Sequence, residues 1–490
     1  MSLSSVTAVP RSAGTTASPG QRGSAVLIAA LGLAAMVVSM AQTQVVPILS
    51  LLGRDLHASS AGVGWVTTAT LLSAAVFTPL LGRVGDQYGK KKTLVAVLAV
   101  MVAGSLLAAL TTSLTLLIIG RVLQGSATAI FPLALSIIRD QVPSEKLPGA
   151  MALVSSTLAF GSGLSLVITG LLTQGSNPNY HSVFWVSTGL SLLALVAVVL
   201  LVPKHGQAAG GRIDYLGTLT LAGTLVLLLL GISQGHDWGW ISGKTLGSFA
   251  GSALVAVLWV LVERKVDAPL VDLRMFTQRQ VALTNLAGLL IGFAMFAQFI
   301  GISYLVQTPH QLAGYGFTAS VLRASVEYLL PGSLIALIAA PTGGMLVRRT
   351  GAVTTLTFGG VIGVAGFAWL AFDHGSSAGV ILAGLLTGTS IAFGYAAMPA
   401  LIAASVPIHQ TGIANGINSI SRSIGSSVAS AVVVSLLASK PIQHLPAGVP
   451  PLPQQSQFTL TFVIGMGALL LTLPLAQLGL ARHRRQHSDG

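Results

Sequence analysis

Few residues of this chain can do ionic chemistry inside its apolar stretches, and their placement is informative. Of the 12 acidic residues, only Glu327 stands within an apolar run; the others fall in polar breaks or at run ends. Glu327 follows Arg323 by four positions, so a helix puts both on one face. A carboxylate withdrawn from water can hold a proton into the neutral range and exchange it; a static ion pair at a helix end is the equally simple reading. Arg121 and Arg422 also lie inside apolar runs. At Arg121 such a charge is costly and must face the interior of a bundle or a water-filled space; the structural alternative there is bonding to backbone carbonyls and to Gln124. The uncharged candidates for holding a small-molecule substrate are Gln42, Gln44, Gln124, Gln298, Asn415 and Asn418, polar points on an apolar wall. Such residues also bond helix to helix, and Gln42 and Gln44 share no helix face, so at most one of them points into a cavity.

Other chemistries lack their parts. The chain has no Cys, which removes disulfides, thiolate metal sites and a Cys nucleophile. The histidines are scattered through loops and tails, with no His-Glu zinc pattern. A membrane enzyme is therefore disfavoured, as is a channel, since no ring of charge or filter-like carbonyl segment is evident. Neither a cofactor nor a metal is expected.

What must position these residues is a set of membrane helices. Hydrophobic residues make up 53% of the chain and charged residues 8%, far below the roughly quarter charged that a water-facing surface carries. Apolar runs long enough to cross a bilayer, roughly 20 residues each, recur near 25–51, 61–82, 93–112, 114–138, 148–173, 182–202, 215–234, 246–263, 281–306, 319–346, 353–372, 377–404, 412–438 and 458–481. The expected fold is thus all-α and integral to the membrane, with fourteen spans. The first run imitates a signal peptide but continues to Leu52 and reads as a retained span. Residues 1–23, rich in Ser, Thr, Gly and Ala, read as a disordered tail.

Placing the N-terminus and every second loop in the cytoplasm puts nineteen Lys and Arg there, against Arg54, Lys244, Arg323 and Lys440 opposite; Arg121 and Arg422 complete the 25. This asymmetry orients a multi-pass plasma-membrane protein with both termini cytoplasmic. It also explains the formal net charge of +13 as topology and not as a nucleic-acid footprint. The outer loop 439–457 is long and Pro-rich, and reads as a connector or, alternatively, a gate.

A shift of 262 residues superposes Gly82 on Gly344, Gly89 on Gly351 and Leu94 on Leu356, and lays the first six spans on the last six. The expected organisation is a six-helix bundle over 24–203, two inserted helices with linkers over 204–276, a second bundle over 277–482 and a tail over 483–490. A repeat of this kind predicts a cavity between the halves near the bilayer midplane.

The segment from Gly82 through Asp86 and Gly89 to Lys90, Lys91 and Lys92, together with Gly120-Arg121-Val-Leu-Gln124-Gly125, resembles the signatures of the major facilitator superfamily. Asp214-Tyr-Leu-Gly217, Gly235-His-Asp-Trp-Gly-Trp240 and Glu263 to Arg274 look like the inserted helix pair of its fourteen-span drug/proton antiporter branch. The resemblance implies that Gly82, Asp86, Gly89, Lys90 and Lys91 form a conformational latch and that Arg121 takes part in proton coupling. Two departures stand out. Met40 to Pro47 lacks the acidic residue common in that branch's first span, and Gly161-Ser162-Gly163-Leu-Ser165 lacks the usual Pro, keeping only small-residue helix packing. The reading that results is a monomeric secondary transporter working by alternating access, exchanging protons for hydrophobic or amphipathic compounds. Movement of a specific metabolite or lipid, in either direction, is the alternative.

Overall fold

A computed structural model describes residues 19–143, 147–174, 178–203, 214–266, 269, 273, 278–406, 411–443, 445–446 and 451–480. Among the described residues the chain is built of long helices: α1 Pro19–Thr43, α2 Ser60–Tyr88, α3 Lys90–Leu110, α4 Leu114–Gln141, α5 Leu147–Leu172, α6 Tyr180–Leu201 and α7 Tyr215–Trp238. They continue with α8 Gly243–Lys265, α9 Arg279–Gln307, α10 Val321–Thr350, α11 Ala352–Phe372, α12 Ser377–Ala403, α13 Thr411–Ser439 and α14 Gln455–Pro474. Twelve helical segments are long and apolar enough to cross a membrane; α2 and α5 contribute the shorter described apolar stretches Gly62–Thr78 and Phe160–Leu172. Of the tails expected at 1–23 and 483–490, residues 1–18 and 483–490 lie outside the described residues, and α1 already begins at Pro19.

Local sequence explains where helices start, bend and stop. Ser59, Asp214, Ser242, Ser320 and Ser376 each accept a backbone N–H of the helix they precede, satisfying one of the orphan donors of the first turn. Three irregularities each adjoin a proline that removes a backbone donor. The first helix breaks into a 3₁₀ turn at Val46–Ile48, containing Pro47, before the short helix Leu49–Asp55. A 3₁₀ turn at Ala127–Ala129 precedes Pro132, and a π-turn at Ala324–Leu329 precedes Pro331.

The segment expected as a loop from Gly82 to Lys92 is almost entirely helical. Gly89 alone separates α2 from α3, at φ +103°, a conformation open to glycine and strained for other residues. Gly351 does the same between α10 and α11 at φ +95°. The equivalence extends to Leu94 and Leu356, both fully buried. Helices need not end at the edge of the hydrocarbon, because Lys and Arg stems carry their charges outward to water.

Packing repeats as well. In the first six helices α1 lies on α5 and α6, α2 on α4, and α3 on α4 and α6; in the last six α9 lies on α13 and α14, α10 on α12, and α11 on α12 and α14. Across these sets α2 packs on α13 and α5 on α10. Helices α7 and α8 pair with each other, and α7 also lies on α2 and α13. Alternate connections gather at opposite ends. At one end, called proximal here, Lys90 pairs with Asp140 at 2.6 Å and the Ser405 hydroxyl donates to Gln280 at 2.8 Å. At the other, distal, end the Tyr180 hydroxyl donates to the Thr111 carbonyl at 3.0 Å, and His374 and Gln455 join at 3.0 Å. The long connection after α13 is tied down distally: the Ile442 N–H donates to Leu452 and that of Gln454 to Lys440, and the Tyr315 hydroxyl donates to the Pro453 carbonyl.

Candidate functional site

Arg121 is fully buried. Its Nε donates to the Val66 carbonyl of α2 at 3.2 Å, and its Nη1 donates to the Ala41 carbonyl of α1 at 2.8 Å and to Gln124 Oε1 at 2.5 Å. Gln124 donates in turn to the Ser105 hydroxyl of α3 at 2.8 Å. One guanidinium therefore joins α1, α2 and α4, and through Gln124 reaches α3. The charge is solvated by peptide dipoles, the usual way an intramembrane arginine is tolerated. Its Nη2 lacks a partner among the described residues.

The two glutamines at the end of α1 point to different neighbours. Gln42, half-buried, donates to the Thr128 hydroxyl at 3.1 Å, beside the 3₁₀ turn of α4. Gln44 is buried and accepts from the Ser187 hydroxyl of α6 at 2.6 Å, inside the first bundle. In the last six helices Gln298 is buried, with one long bond to the Gly384 carbonyl at 3.4 Å. Asn415 is half-buried and partnered. Asn418 is buried, and its amide nitrogen donates to the Thr284 carbonyl at 3.0 Å and to Asn285 Oδ1 at 3.3 Å.

Glu327 and Arg323 form a bidentate ion pair at 2.6 and 3.2 Å. It lies in the first turns of α10, on a shallow groove with Val167 and Leu171 of α5, at the distal end and away from the middle of the bundle. The carboxylate side chain is 34% exposed, so the pair is not a deeply buried one.

The glycine and lysine segment makes its described bonds mostly within the first six helices. Lys90 holds the end of α4 through Asp140, and Lys91 donates to the Val199 carbonyl at 2.9 Å and to that of Val202, the last carbonyls of α6, where a cation is favourable. Gly82 has open space around it, and the side chain of Asp86 lies outside the described ones. Arg83 reaches beyond the bundle to the Pro269 carbonyl, in the connection after α8.

One constellation in the last six helices was not foreseen from the sequence. Near the middle of α13, Arg422 donates from Nη1 to Asn418 Oδ1 at 2.7 Å, and its guanidinium lies 4.9 Å from the centroid of the Tyr395 ring on α12. The Tyr395 hydroxyl donates to the Met295 sulfur on α9 at 3.3 Å. Three helices thus converge on a ring that is still 37% exposed. The available signal was the cost of a membrane arginine, which applies to Arg422 as much as to Arg121.

The sequence profile of the Major Facilitator Superfamily matches residues 31–430. The chain is 28% identical over 416 residues to the tetracenomycin C resistance and export protein of Streptomyces glaucescens, an alignment covering 84% of this chain and 75% of that one. It is 27% identical over 410 residues to a multidrug resistance protein B homolog of Mycobacterium tuberculosis, covering 82% and 72%. Among solved structures it resembles the nucleoside transporter NupG, with TM-score 0.63 and 14% identity over 93% of this chain and 98% of that one. It also resembles the xylose transporter XylE from E. coli in a partially occluded, inward-open conformation, with TM-score 0.61 and 10% identity over 92% and 97%; at such identities the likeness is one of fold. Helical architecture, a signature segment in its expected place and a profile match over most of the chain agree: this chain belongs to the Major Facilitator Superfamily and is a membrane transporter, not an enzyme.

Proposed function

We propose that this transporter is a fourteen-span, proton-coupled exporter of hydrophobic or amphipathic small molecules that works by alternating access as a monomer. In this reading both termini are cytoplasmic, so the proximal side is the cytoplasm. The observation that carries alternating access is the position of the seal between the two six-helix sets. Four hydrogen bonds joining them lie in the distal half: Ser50 to Gln307 at 2.9 Å, Ser303 to the Val46 carbonyl at 3.1 Å, Gln307 to the Pro47 carbonyl at 3.0 Å and Thr68 to Ser430 at 3.0 Å. Sealing at one end, with the α2–α13 and α5–α10 contacts as matched seams, supports two halves rocking about a midplane site. The export and resistance proteins among the relatives support efflux as the direction. The repeated packing supports counting α2 and α5 as spans and α7 and α8 as an insertion beside the seam.

Within this reading the Gly82 to Lys91 segment is the proximal switch, with Arg83 coupling α2 to the connection after the inserted pair. Gln42 contributes to the substrate path beside Thr128. Gln44, Gln124, Gln298 and Asn418 hold neighbouring helices, and Asn415 sits near the proximal opening. Glu327, within the apolar run of α10, exchanges protons with the distal side; Arg121 transmits the change by holding α1 and α2 together.

Inside-out vesicles carrying the protein test the proposal, loaded acid inside and supplied with an amphipathic dye. Uptake several-fold above that in vesicles without a gradient is expected, with loss in Arg121→Ala and loss of gradient dependence in Glu327→Gln. Dye movement indifferent to the gradient would remove proton coupling. Gradient-driven uptake that survives Glu327→Gln would move the proton to another group.

A further inference from the structure

We infer that Arg422 and Tyr395 form a subsite for the anionic group of an aromatic substrate. This inference rests on the transport reading, because it names the charge of what enters the same central space. Arg422 makes one hydrogen bond, from Nη1 to Asn418, and no ion pair among the described residues. Asn418 is itself fixed by Thr284 and Asn285, so the guanidinium is held from one side. Its Nε and Nη2 edge remains for another acceptor, and two parallel N–H donors suit a carboxylate or sulfonate in bidentate fashion. Arg121, by contrast, has no exposed surface: its Nε and Nη1 are engaged by carbonyls and Gln124, and its unpartnered Nη2 is buried away from any ligand.

The wall beside Arg422 is aromatic and soft. The Tyr395 ring stacks under the cation and remains open, with the Met295 sulfur at its hydroxyl; thioether and ring surfaces adapt to flat apolar bodies. Among the described residues no carboxylate pairs with Arg422, and Glu327, the acid within an apolar run, is engaged by Arg323 at the distal end. A cationic substrate would therefore meet a fixed positive charge in a low-dielectric space with no carboxylate to receive it, whereas an anion would be attracted. A lipid phosphate is the competing source of negative charge. Arg422 lies eleven residues into α13, about 16 Å along the helix from its proximal end at 1.5 Å per residue, deeper than a headgroup sits.

Two dyes on the same tricyclic skeleton separate the possibilities: fluorescein, an anion near neutral pH, and rhodamine 123, a cation. Fluorescence anisotropy with the purified full chain in a nonionic detergent is expected to show fluorescein bound at least tenfold more tightly. Arg422→Gln should weaken fluorescein at least tenfold while leaving rhodamine 123 within about twofold, and Arg422→Lys should retain part of the affinity by keeping charge without the fork. Tyr395→Ala should weaken both dyes alike. The inference is overturned if the wild type prefers the cation or binds neither dye. It is equally overturned if Arg422→Gln, shown monodisperse and thermally cooperative, weakens both dyes equally, or if phosphatidylglycerol displaces fluorescein as well as a non-fluorescent aromatic carboxylate does. Binding needs no gradient, so a failure of vesicle uptake with the charge preference intact would sink the transport reading and not the subsite.

Discussion

At the scale of single residues, Arg121 shows how a membrane protein keeps a charge that no acid neutralises. Three acceptors from three chain segments surround it: the Val66 and Ala41 carbonyls and Gln124. Lysine cannot reproduce that fork from a single ammonium. Arg121→Lys should lose at least one hydrogen bond of a charged group, worth about 1.5–3 kcal/mol, and lower the thermal midpoint in detergent even though the charge is kept. A midpoint equal to that of the wild type would show that the carbonyl contacts contribute little. The pairing of Arg121 with Gln124 was legible in the sequence because the two stand three residues apart, one helical turn. That Gln44 meets Ser187 was not legible, since 143 residues separate them. The aromatic partner of Arg422 was hidden for the same reason.

At the scale of elements, the helices were readable from apolar run length and their ends from caps, glycines and basic residues; α13, expected over 412–438, runs Thr411–Ser439. The breaks at Val46–Ile48, Ala127–Ala129 and Ala324–Leu329 were not anticipated, although each adjoins a proline, because neighbouring helices decide whether a proline kinks, tightens or widens a turn. Close approach of helices was equally invisible one glycine at a time. A Cβ at Gly425 would stand 1.9 Å from the Leu289 carbonyl oxygen, where α13 crosses α9, whereas one at Gly467 on α14 meets open space. Gly425→Ala should therefore separate α9 from α13 and cost on the order of 1–3 kcal/mol, as overpacking does. Gly467→Ala should be neutral or stabilising by roughly 0.5–1 kcal/mol from helix propensity. Melting curves of the two variants side by side check both signs, and similar midpoints would show that the α9–α13 spacing is compliant.

At the scale of the whole molecule, the proposed alternating access makes the distal seal and the paired seams one of two states. The absence of cysteine makes a cross-link unambiguous. The Thr68 and Ser430 hydroxyls lie 3.0 Å apart on α2 and α13, a spacing that brings two substituted sulfur atoms within reach of a bond with little backbone shift. Thr68→Cys with Ser430→Cys should oxidise readily, stop dye movement and recover it on reduction, while either single variant transports normally. Full transport by the oxidised double variant would mean that the α2–α13 seam does not open during the cycle.

The sequence by itself determined the solvent, the helical class, the alternation of sides and the family, because each follows from local quantities: apolar length, the count of basic residues per loop, and short motifs whose glycines and charges act within a turn or two. Tertiary structure alone decided which polar residue faces a neighbour and which faces the central space. That choice depends on the rotation of each helix against partners a hundred or more residues away, and in a membrane, where both faces of a helix are apolar, no hydrophobic pattern fixes the rotation in advance. Glu327 and Arg422 carry the contrast. The acid that periodicity singled out lies in an ion pair at the distal end, and the arginine it passed over stands beside an open aromatic ring in the middle of the bundle.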